Sequence, residues 1–95
     1  MSEHSILIAD KPFMNYVTAV VMQFTTDQAQ EVVIKARGKY INRAVDVSEV
    51  VKTRFLTDAV KQKDVVLGSD TFENKEGKEV RVSTIEIVLE RVDEN

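Results

Sequence analysis

Positively charged side chains are concentrated in one segment of this chain. Residues 35–54 contain six lysines and arginines against Asp46 and Glu49, a local balance of +4, whereas the whole chain carries −3. Everything outside the segment therefore sums to −7. A positive cluster on an acidic protein is typical of an anion-binding face, and nucleic acid is the polyanion that such a face most often meets.

The spacing of these cations favours a site at the end of a strand. Lys35, Arg37 and Lys39 surround Gly38, directly after the apolar run at 32–34. A further cation, Lys11, follows the first apolar run of the chain. If both runs are strands that continue into helices, their ends lie at one edge of a sheet, and the cations can contact phosphates together. An ordinary solvated helix face is the alternative, and the residue pattern alone leaves both interpretations open.

The apolar periodicity predicts an α/β fold of one domain spanning residues 1–95. Alternating or continuous apolar runs indicate strands, and apolar residues at helical spacing indicate helices. The segment 73–79 carries five charges and Gly77 without an apolar residue, which is typical of a solvated hairpin tip. The predicted order is β-α-β-α-β-β, a two-layer sandwich with two helices and a long final hairpin; the strands are 5–9, 31–36, 60–72 and 80–92, and the helices are 12–25 and 41–55.

The composition argues against several classes of protein. The chain has no cysteine, so a disulfide framework and a cysteine-containing zinc site are excluded. The first ten residues carry an acidic side chain where a signal peptide has cations, and no apolar stretch approaches the ~20 residues that span a bilayer. We expect a soluble, cytoplasmic protein without metal, cofactor or membrane contact.

Catalysis finds no support in the residue types. His4 is the only histidine, and the sequence places it in a polar N-terminal tail without a partner or a pocket. Ser83 and Thr84 lie within a predicted strand and have no candidate base nearby in the sequence. Gly38 stands alone, so there is neither a phosphate-binding P-loop nor a dinucleotide motif. We expect that the protein is not an enzyme.

Four strings in the chain resemble the Alba family, small archaeal chromatin-associated proteins that bind DNA and RNA. These strings are KPFMNYV (11–17), VVIKARGKYINRAVDV (32–47), VVKTRFL (50–56) and RVSTIEIVL (81–89). The resemblance covers nearly the whole chain. It implies the same β-α-β-α-β-β fold with a mixed four-stranded sheet, and a homodimer that lays two positive regions across the DNA backbone while its hairpin arms reach along or into the minor groove.

The resemblance also implies roles for individual residues. Lys11 corresponds to the phosphate-contacting lysine before the first helix, and the other implied contacts to nucleic acid are Asn15, Tyr16, Arg37, Lys39, Arg43 and, on the hairpin, Lys75, Lys78 and Arg81. Phe55 and Leu56 match positions that the family uses for apolar contacts between dimers. Val47 and Val50 lie off the apolar stripe of the second helix and are further interface candidates, with Phe55, which could equally belong to the core.

Two departures from the family pattern predict weaker binding to DNA. Many Alba proteins have two consecutive lysines before the proline, the first being a site of acetylation, whereas this chain has Asp10 there. At the hairpin tip, Glu73, Glu76 and Glu79 offset Lys75 and Lys78. Each lost phosphate contact lowers affinity and reduces the slope of log affinity against log salt by about 0.9.

Three functions follow from these observations. The preferred one is a dimeric, largely sequence-independent DNA-binding protein that acts on the chromosome, in chromatin or in DNA condensation. The second is an RNA-binding protein in RNA maintenance or in a ribonucleoprotein. The third is a protein-interaction module whose acidic hairpin meets a basic partner.

Overall fold

The computed structural model describes residues 4–92 as four strands and two helices. A 3₁₀ turn at Gly38–Tyr40 precedes the second helix and a π turn at Val51–Phe55 continues it. In chain order the elements are β1 (Ser5–Leu7), α1 (Phe13–Thr25), β2 (Glu31–Arg37), α2 (Ile41–Val50), β3 (Val60–Glu73) and β4 (Glu79–Arg91).

The sheet is mixed, with the strand order β1-β2-β4-β3. β1 and β2 are parallel neighbours, and β4 pairs antiparallel with both β2 and β3. The predicted fold class, including the central position of β2 and the antiparallel hairpin, is confirmed. β3 lies at the edge of the sheet and pairs with neither β1 nor β2.

The core lies between the two helices and one face of the sheet. Alternate residues of the two central strands point into it, and the apolar stripe of each helix covers them, which removes this apolar surface from water. The buried set includes Val17, Val20 and Phe24 of α1, Val32, Ile34 and Ala36 of β2, Ala44 and Val47 of α2, and Ile85, Ile87 and Leu89 of β4. Within residues 4–92 no helix covers the opposite face of the sheet, so its side chains are exposed or half-buried.

Two residues close the ends of α1. Pro12 precedes the helix with a φ of −56°, an angle that its ring fixes and that suits a helix start. At the other end the Arg91 guanidinium donates at 2.5 Å to the carbonyl oxygen of Phe24, which lies in the last turn of α1 and has no partner within the helix. It also donates at 3.1 Å to the carbonyl oxygen of Ala29 in the following loop. The last residue of β4 thereby fixes the α1–β2 connection.

The β3–β4 hairpin extends beyond the rest of the sheet. Pairing between β2 and β4 ends at Arg37 opposite Thr84, whereas β3 and β4 remain paired as far as Glu73 opposite Glu79. The molecule is therefore elongated, with extents of 54 × 26 × 22 Å. At the tip, the Asn74 side chain accepts hydrogen bonds from the backbone amides of Glu76 and Lys78, both at 2.9 Å, which confirms the predicted turn.

Two predictions are wrong in this part of the molecule. Val47 is completely buried in the core of its own chain, because α2 is covered by both α1 and the sheet, so it offers no surface to a partner. His4 is not part of a free tail, since its carbonyl oxygen accepts a hydrogen bond of 2.9 Å from the Val33 amide; the rest of the predicted tail, residues 1–3, lies outside the described residues. Within residues 4–92, no helix is both long and apolar enough to cross a membrane.

Candidate nucleic-acid interface

The two predicted junctions meet at one edge of the sheet. β1 and β2 run parallel, so both strands end there, and the Ile8 amide continues the ladder by donating to the Lys35 carbonyl oxygen at 2.8 Å. The chain then leaves β1 through Lys11 and leaves β2 through Lys39. This arrangement confirms that the two loops lie together at the end of the sheet where β1 and β2 terminate. We call this end of the sheet the junction edge.

The loop between β1 and α1 is held from both sides. The Tyr16 hydroxyl accepts hydrogen bonds from the amides of Ala9 at 2.9 Å and Lys11 at 3.0 Å. From α2, the Arg43 guanidinium donates to the carbonyl oxygens of Lys11 at 2.6 Å and Ala9 at 3.5 Å. These contacts fix the backbone that carries the Lys11 side chain and connect it to the second loop.

Gly38 shapes the second loop. Its φ of +60° lies in the left-handed region that disfavours side chains, and a Cβ there would stand 3.0 Å from Cγ2 of Val82. The chain therefore turns sharply at Gly38, and the tight approach to β4 is a second reason for glycine. Arg37 is the last residue of β2 before this turn, and Lys39 lies in the 3₁₀ turn that leads into α2.

The described part of the chain brings no carboxylate close to the lysines at the junction edge. Among residues 4–92, no carboxylate oxygen lies within 4.0 Å of the ammonium groups of Lys11, Lys35 or Lys39. The Lys39 ammonium lies 5.4 Å from the centre of the Tyr40 ring, a distance that allows a cation–π interaction. A polyanion that approaches this edge therefore meets cations that the chain itself leaves available.

The opposite edge of the sheet has the same residue types in a different arrangement. Lys63 hydrogen-bonds Glu31 and lies 4.0 Å from Glu90, and Lys61 lies 3.6 Å from Glu90. The hydrogen bond and the charge of Glu31 raise the pKa of Lys63 above its ordinary 10.5. We call these four residues the charge-matched edge.

Comparison with known proteins identifies the family of this chain. The family model described as Alba matches residues 4–69. This chain belongs to the Alba family.

Several Alba relatives cover nearly the whole chain. "DNA/RNA-binding protein Alba" of Methanococcus maripaludis is 49% identical over 87 residues, which are 92% of this chain and 97% of that protein. "DNA/RNA-binding protein Alba 1" of Archaeoglobus fulgidus is 48% identical over 89 residues, which are 94% of this chain and 97% of that protein. The predicted family resemblance is confirmed.

Solved Alba structures share the fold. Alba from Thermoplasma volcanium superposes with a TM-score of 0.85 at 43% identity, over 93% of this chain and 100% of that one. ALBA1 from Trypanosoma brucei gives a TM-score of 0.74 at 24% identity, over 98% of this chain and 73% of that one, and at this identity it shows the fold alone.

The residues assigned from the Alba resemblance fall into three groups. Lys11, Asn15, Arg37 and Lys39 have exposed side chains in or beside the junction loops. Tyr16 is only 6% exposed, and Arg43 is half-buried with its guanidinium on the loop carbonyls, so both act on the position of the β1–α1 loop. The remaining cations, Lys75, Lys78 and Arg81, are exposed on the hairpin, which leaves the sheet at the junction edge.

The apolar interface candidates differ in how far they are exposed. Phe55 is 50% exposed, so it does not belong to the core, whereas Val50 and Leu56 are half-buried and pack against the core. The sequence analysis missed Leu67, which is 74% exposed. Leu67 pairs with buried Ile85, so it points to the helix side of the sheet, beyond the cover that the helices provide. The sequence analysis predicted a strand over 60–72 that includes Leu67, but this prediction did not show which of its apolar residues the helices leave exposed.

Two hairpin residues near Arg37 were also missed. Asp70 Oδ2 lies 4.0 Å from Arg37 Nη2, and the centre of the Phe72 ring lies 5.7 Å from Arg37 Cζ. No sequence pattern connects residues so far apart in the chain. Among residues 4–92, no group of three or more histidine, aspartate or glutamate side chains is arranged to hold a metal ion.

Proposed function

We propose that this protein binds nucleic acid through the phosphate backbone, using the cations of the junction edge, and that duplex DNA is its main ligand. The observation that carries the proposal is the absence of any described carboxylate within 4.0 Å of the Lys11, Lys35 and Lys39 ammonium groups, although the chain as a whole is acidic. Support also comes from the relatives, which are named DNA/RNA-binding proteins.

The physical basis is the release of counterions. Each lysine that neutralises a phosphate releases a cation condensed on the DNA, so binding weakens as salt rises. Contacts of this kind recognise the regular backbone and carry no base sequence. The proposed binding is therefore largely independent of DNA sequence, and the protein acts on the chromosome in the cytoplasm, in chromatin or DNA condensation, without catalysis.

The test is binding of a labelled duplex across a series of salt concentrations. Wild-type protein should bind with a dissociation constant of about 1 μM or tighter at low salt, and affinity should fall steeply as salt rises. Lys11→Gln combined with Lys39→Gln should reduce the slope by about 1.8, which corresponds to two phosphate contacts.

The chain offers a matched control for that variant. Lys61→Gln combined with Lys63→Gln removes the same charge from the charge-matched edge, where both lysines already have carboxylate partners. This control should bind nearly as well as wild type. Equal losses in the two double variants would mean that only net charge matters, and the proposed edge would be abandoned.

RNA binding is the second candidate, favoured by the printed names of the relatives, which include both polymers. Exposed aromatic side chains at the junction edge are few, since Tyr16 is buried and Tyr40 is half-buried, so recognition of shape and phosphates must dominate. Competition between a DNA duplex and an RNA duplex of the same sequence separates the two candidates, and preference for RNA would indicate a role in RNA maintenance or a ribonucleoprotein.

We also propose that the working unit is a homodimer. Leu67 at 74% exposure and Val65 at 38% form an apolar strip on the helix side of the edge strand β3, and Phe55 is half-exposed at the end of α2. Edge strands with exposed apolar side chains are usually covered in the assembled protein. The remaining candidates for contacts within or between dimers are Val50, Phe55 and Leu56. Val47 is no longer a candidate, because it is buried in its own chain.

Light scattering tests the dimer. Leu67→Asp should convert the protein to monomers, because it places a charge in the proposed apolar interface. Val66→Asp is the matched control, since Val66 is also exposed but pairs with Glu86 on the uncovered face of the sheet. A wild-type monomer, or a dimer that survives Leu67→Asp, would count against this interface.

A further inference from the structure

The Arg37 side chain connects the junction edge to a carboxylate of the hairpin. This side chain lies on the uncovered face of the sheet, where Arg37 pairs with Thr84 and Thr84 in turn pairs with Gly68. Arg37, Thr84 and Gly68 form one row across the three strands. A Cβ at Gly68 would stand 3.1 Å from Oγ1 of Thr84, so any side chain at Gly68 would fill the space above this row. The row of small residues leaves space for the Arg37 side chain to extend toward β3.

At the end of that row Arg37 meets a carboxylate and a ring. Its Nη2 atom lies 4.0 Å from Asp70 Oδ2, and its Cζ atom lies 5.7 Å from the centre of the Phe72 ring. The ring holds the guanidinium against the hairpin, and the carboxylate partly neutralises it. Among the junction cations that the structure describes, only Arg37 has a carboxylate of its own chain this close.

The ion pair is weak enough to be replaced. Its separation is at the outer limit of an ion pair, and the two side chains are 50% and 59% exposed, so water screens it. A phosphate can approach the guanidinium more closely and accept two parallel hydrogen bonds, an arrangement stronger than the observed one. Binding at Arg37 would then leave Asp70 without its cation and close to the phosphates.

We propose that Asp70 is an internal competitor of the nucleic acid for Arg37, and that it sets the affinity of the junction edge. This inference rests on the proposed function and adds a determinant of affinity that lies on the hairpin. When a phosphate replaces Asp70, the freed carboxylate takes up a cation from solution, and this uptake offsets part of the counterion release from the DNA. Asp70 therefore lowers both the affinity and its dependence on salt.

The test is a double-mutant cycle on duplex binding, measured at several salt concentrations. Asp70→Asn keeps the shape of the side chain and removes its charge; it should tighten binding about three- to fivefold at low salt and steepen the salt slope by a fraction of one contact. In the background of Arg37→Ala, Asp70→Asn should change duplex affinity little, because the guanidinium for which Asp70 and the phosphate compete is then missing.

Glu73→Gln is the matched control, because it removes one negative charge from the same hairpin at a residue without an ion pair to Arg37. Glu73→Gln should tighten duplex binding less than Asp70→Asn does, and by the same factor in wild type and in Arg37→Ala. Asp70→Ser provides a second variant if Asp70→Asn folds poorly, and thermal unfolding of each variant checks the fold.

The outcomes separate this inference from the proposed function. Wild-type protein without salt-dependent binding would overturn the proposed function and the inference together. Wild-type binding that Asp70→Asn leaves unchanged, or an effect of Asp70→Asn that persists fully in Arg37→Ala, would overturn the inference alone.

Discussion

The two edges of the sheet use lysines in opposite ways. At the charge-matched edge, Lys61 and Lys63 lie beside Glu31 and Glu90, and their charges are neutralised within the chain. At the junction edge, Lys11, Lys35 and Lys39 have no carboxylate within 4.0 Å in the described part of the chain, and only the exposed Arg37 lies near one, Asp70. The number of lysines differs little between the edges, so the distinction lies in which strands bring carboxylates to the same place.

This comparison explains how an acidic protein can present a basic surface. Electrostatic influence extends only about 8 Å at physiological salt, so a ligand responds to local charge more than to the total of −3. The pairing of β4 with the starts of both β2 and β3 collects acids and bases at one edge, and the parallel ends of β1 and β2 collect cations at the other. The sheet order, which places β4 beside β2, produces this separation.

The largest expected effect comes from Gly38, because the junction edge depends on its backbone as well as on side chains. Gly38→Ala should lower the free energy of unfolding by about 2 kcal/mol, since it combines a left-handed φ with a contact of 3.0 Å to Val82. Denaturant titration measures this loss. Gly77→Ala has the same type of φ, but its Cβ would meet only an ordinary contact at 3.8 Å, so its loss should be about half as large. Equal losses would contradict the role of Val82.

The next effect concerns Asp10, which is exposed at the junction edge. Asp10→Lys should tighten duplex binding about tenfold and steepen the salt slope by about 0.9, because it removes a repulsive charge and adds a phosphate contact. Asp27→Lys makes the same charge change in the exposed α1–β2 loop, at the other end of the sheet, and should change affinity much less. If both variants bind equally, the location of charge is irrelevant and the comparison of the two edges fails.

A smaller effect should follow from removing the acids of the charge-matched edge. Glu31→Gln combined with Glu90→Gln leaves Lys61 and Lys63 without partners and should raise duplex affinity about two- to threefold through a new positive patch. The control combines Asp27→Asn with Asp58→Asn, two exposed residues without ion pairs among the described residues. Fluorescence anisotropy at low salt compares the two, and a larger gain in the control would refute the interpretation.

The smallest effect is a pH dependence at the same edge. Glu31 raises the pKa of Lys63 above 10.5, so the stabilising interaction is fully present at neutral pH and is lost as pH rises through that raised pKa. Wild type should therefore be slightly more stable than Lys63→Gln at pH 7, and the difference should vanish in strongly alkaline solution. Lys75→Gln, at the solvated hairpin tip, should show no such change with pH. The difference in stability is measured from the denaturant midpoints of wild type, Lys63→Gln and Lys75→Gln at pH 7 and in strongly alkaline solution.

Much of the fold followed from local patterns. The strands and helices were predicted to within a few residues because alternation, helical spacing, Pro12 and the charged tip each act over short distances. The shared edge of the two junction loops followed from parallel strands joined by a helix. The position of β3 in the sheet could not be predicted from these patterns, because the local spacing of residues does not show which distant strand they pair with.

The candidate site was predictable in its charges but not in its contacts. Lys11, Arg37 and Lys39 were identified from their positions after strands. The roles of Tyr16 and Arg43 depend on which backbone groups face them, and the partner of Arg37 comes from a distant strand. Val47 was misassigned for a related reason, since the sequence shows that an apolar residue is covered but not whether its own chain or a partner covers it.

The length of the hairpin has a consequence for how the molecule opens. Beyond the pair formed by Gly68 and Thr84, β3 and β4 have only each other as strand partners within residues 4–92, since β2 ends at Arg37. A two-stranded ribbon in water is only marginally stable, so its backbone amides should exchange with solvent far faster than those of β2 and the paired half of β4. A protease should cut near the charged tip and leave the body of the protein intact. Slower amide exchange in residues 69–83 after a ligand is added would then show directly that the ligand lies along the ribbon.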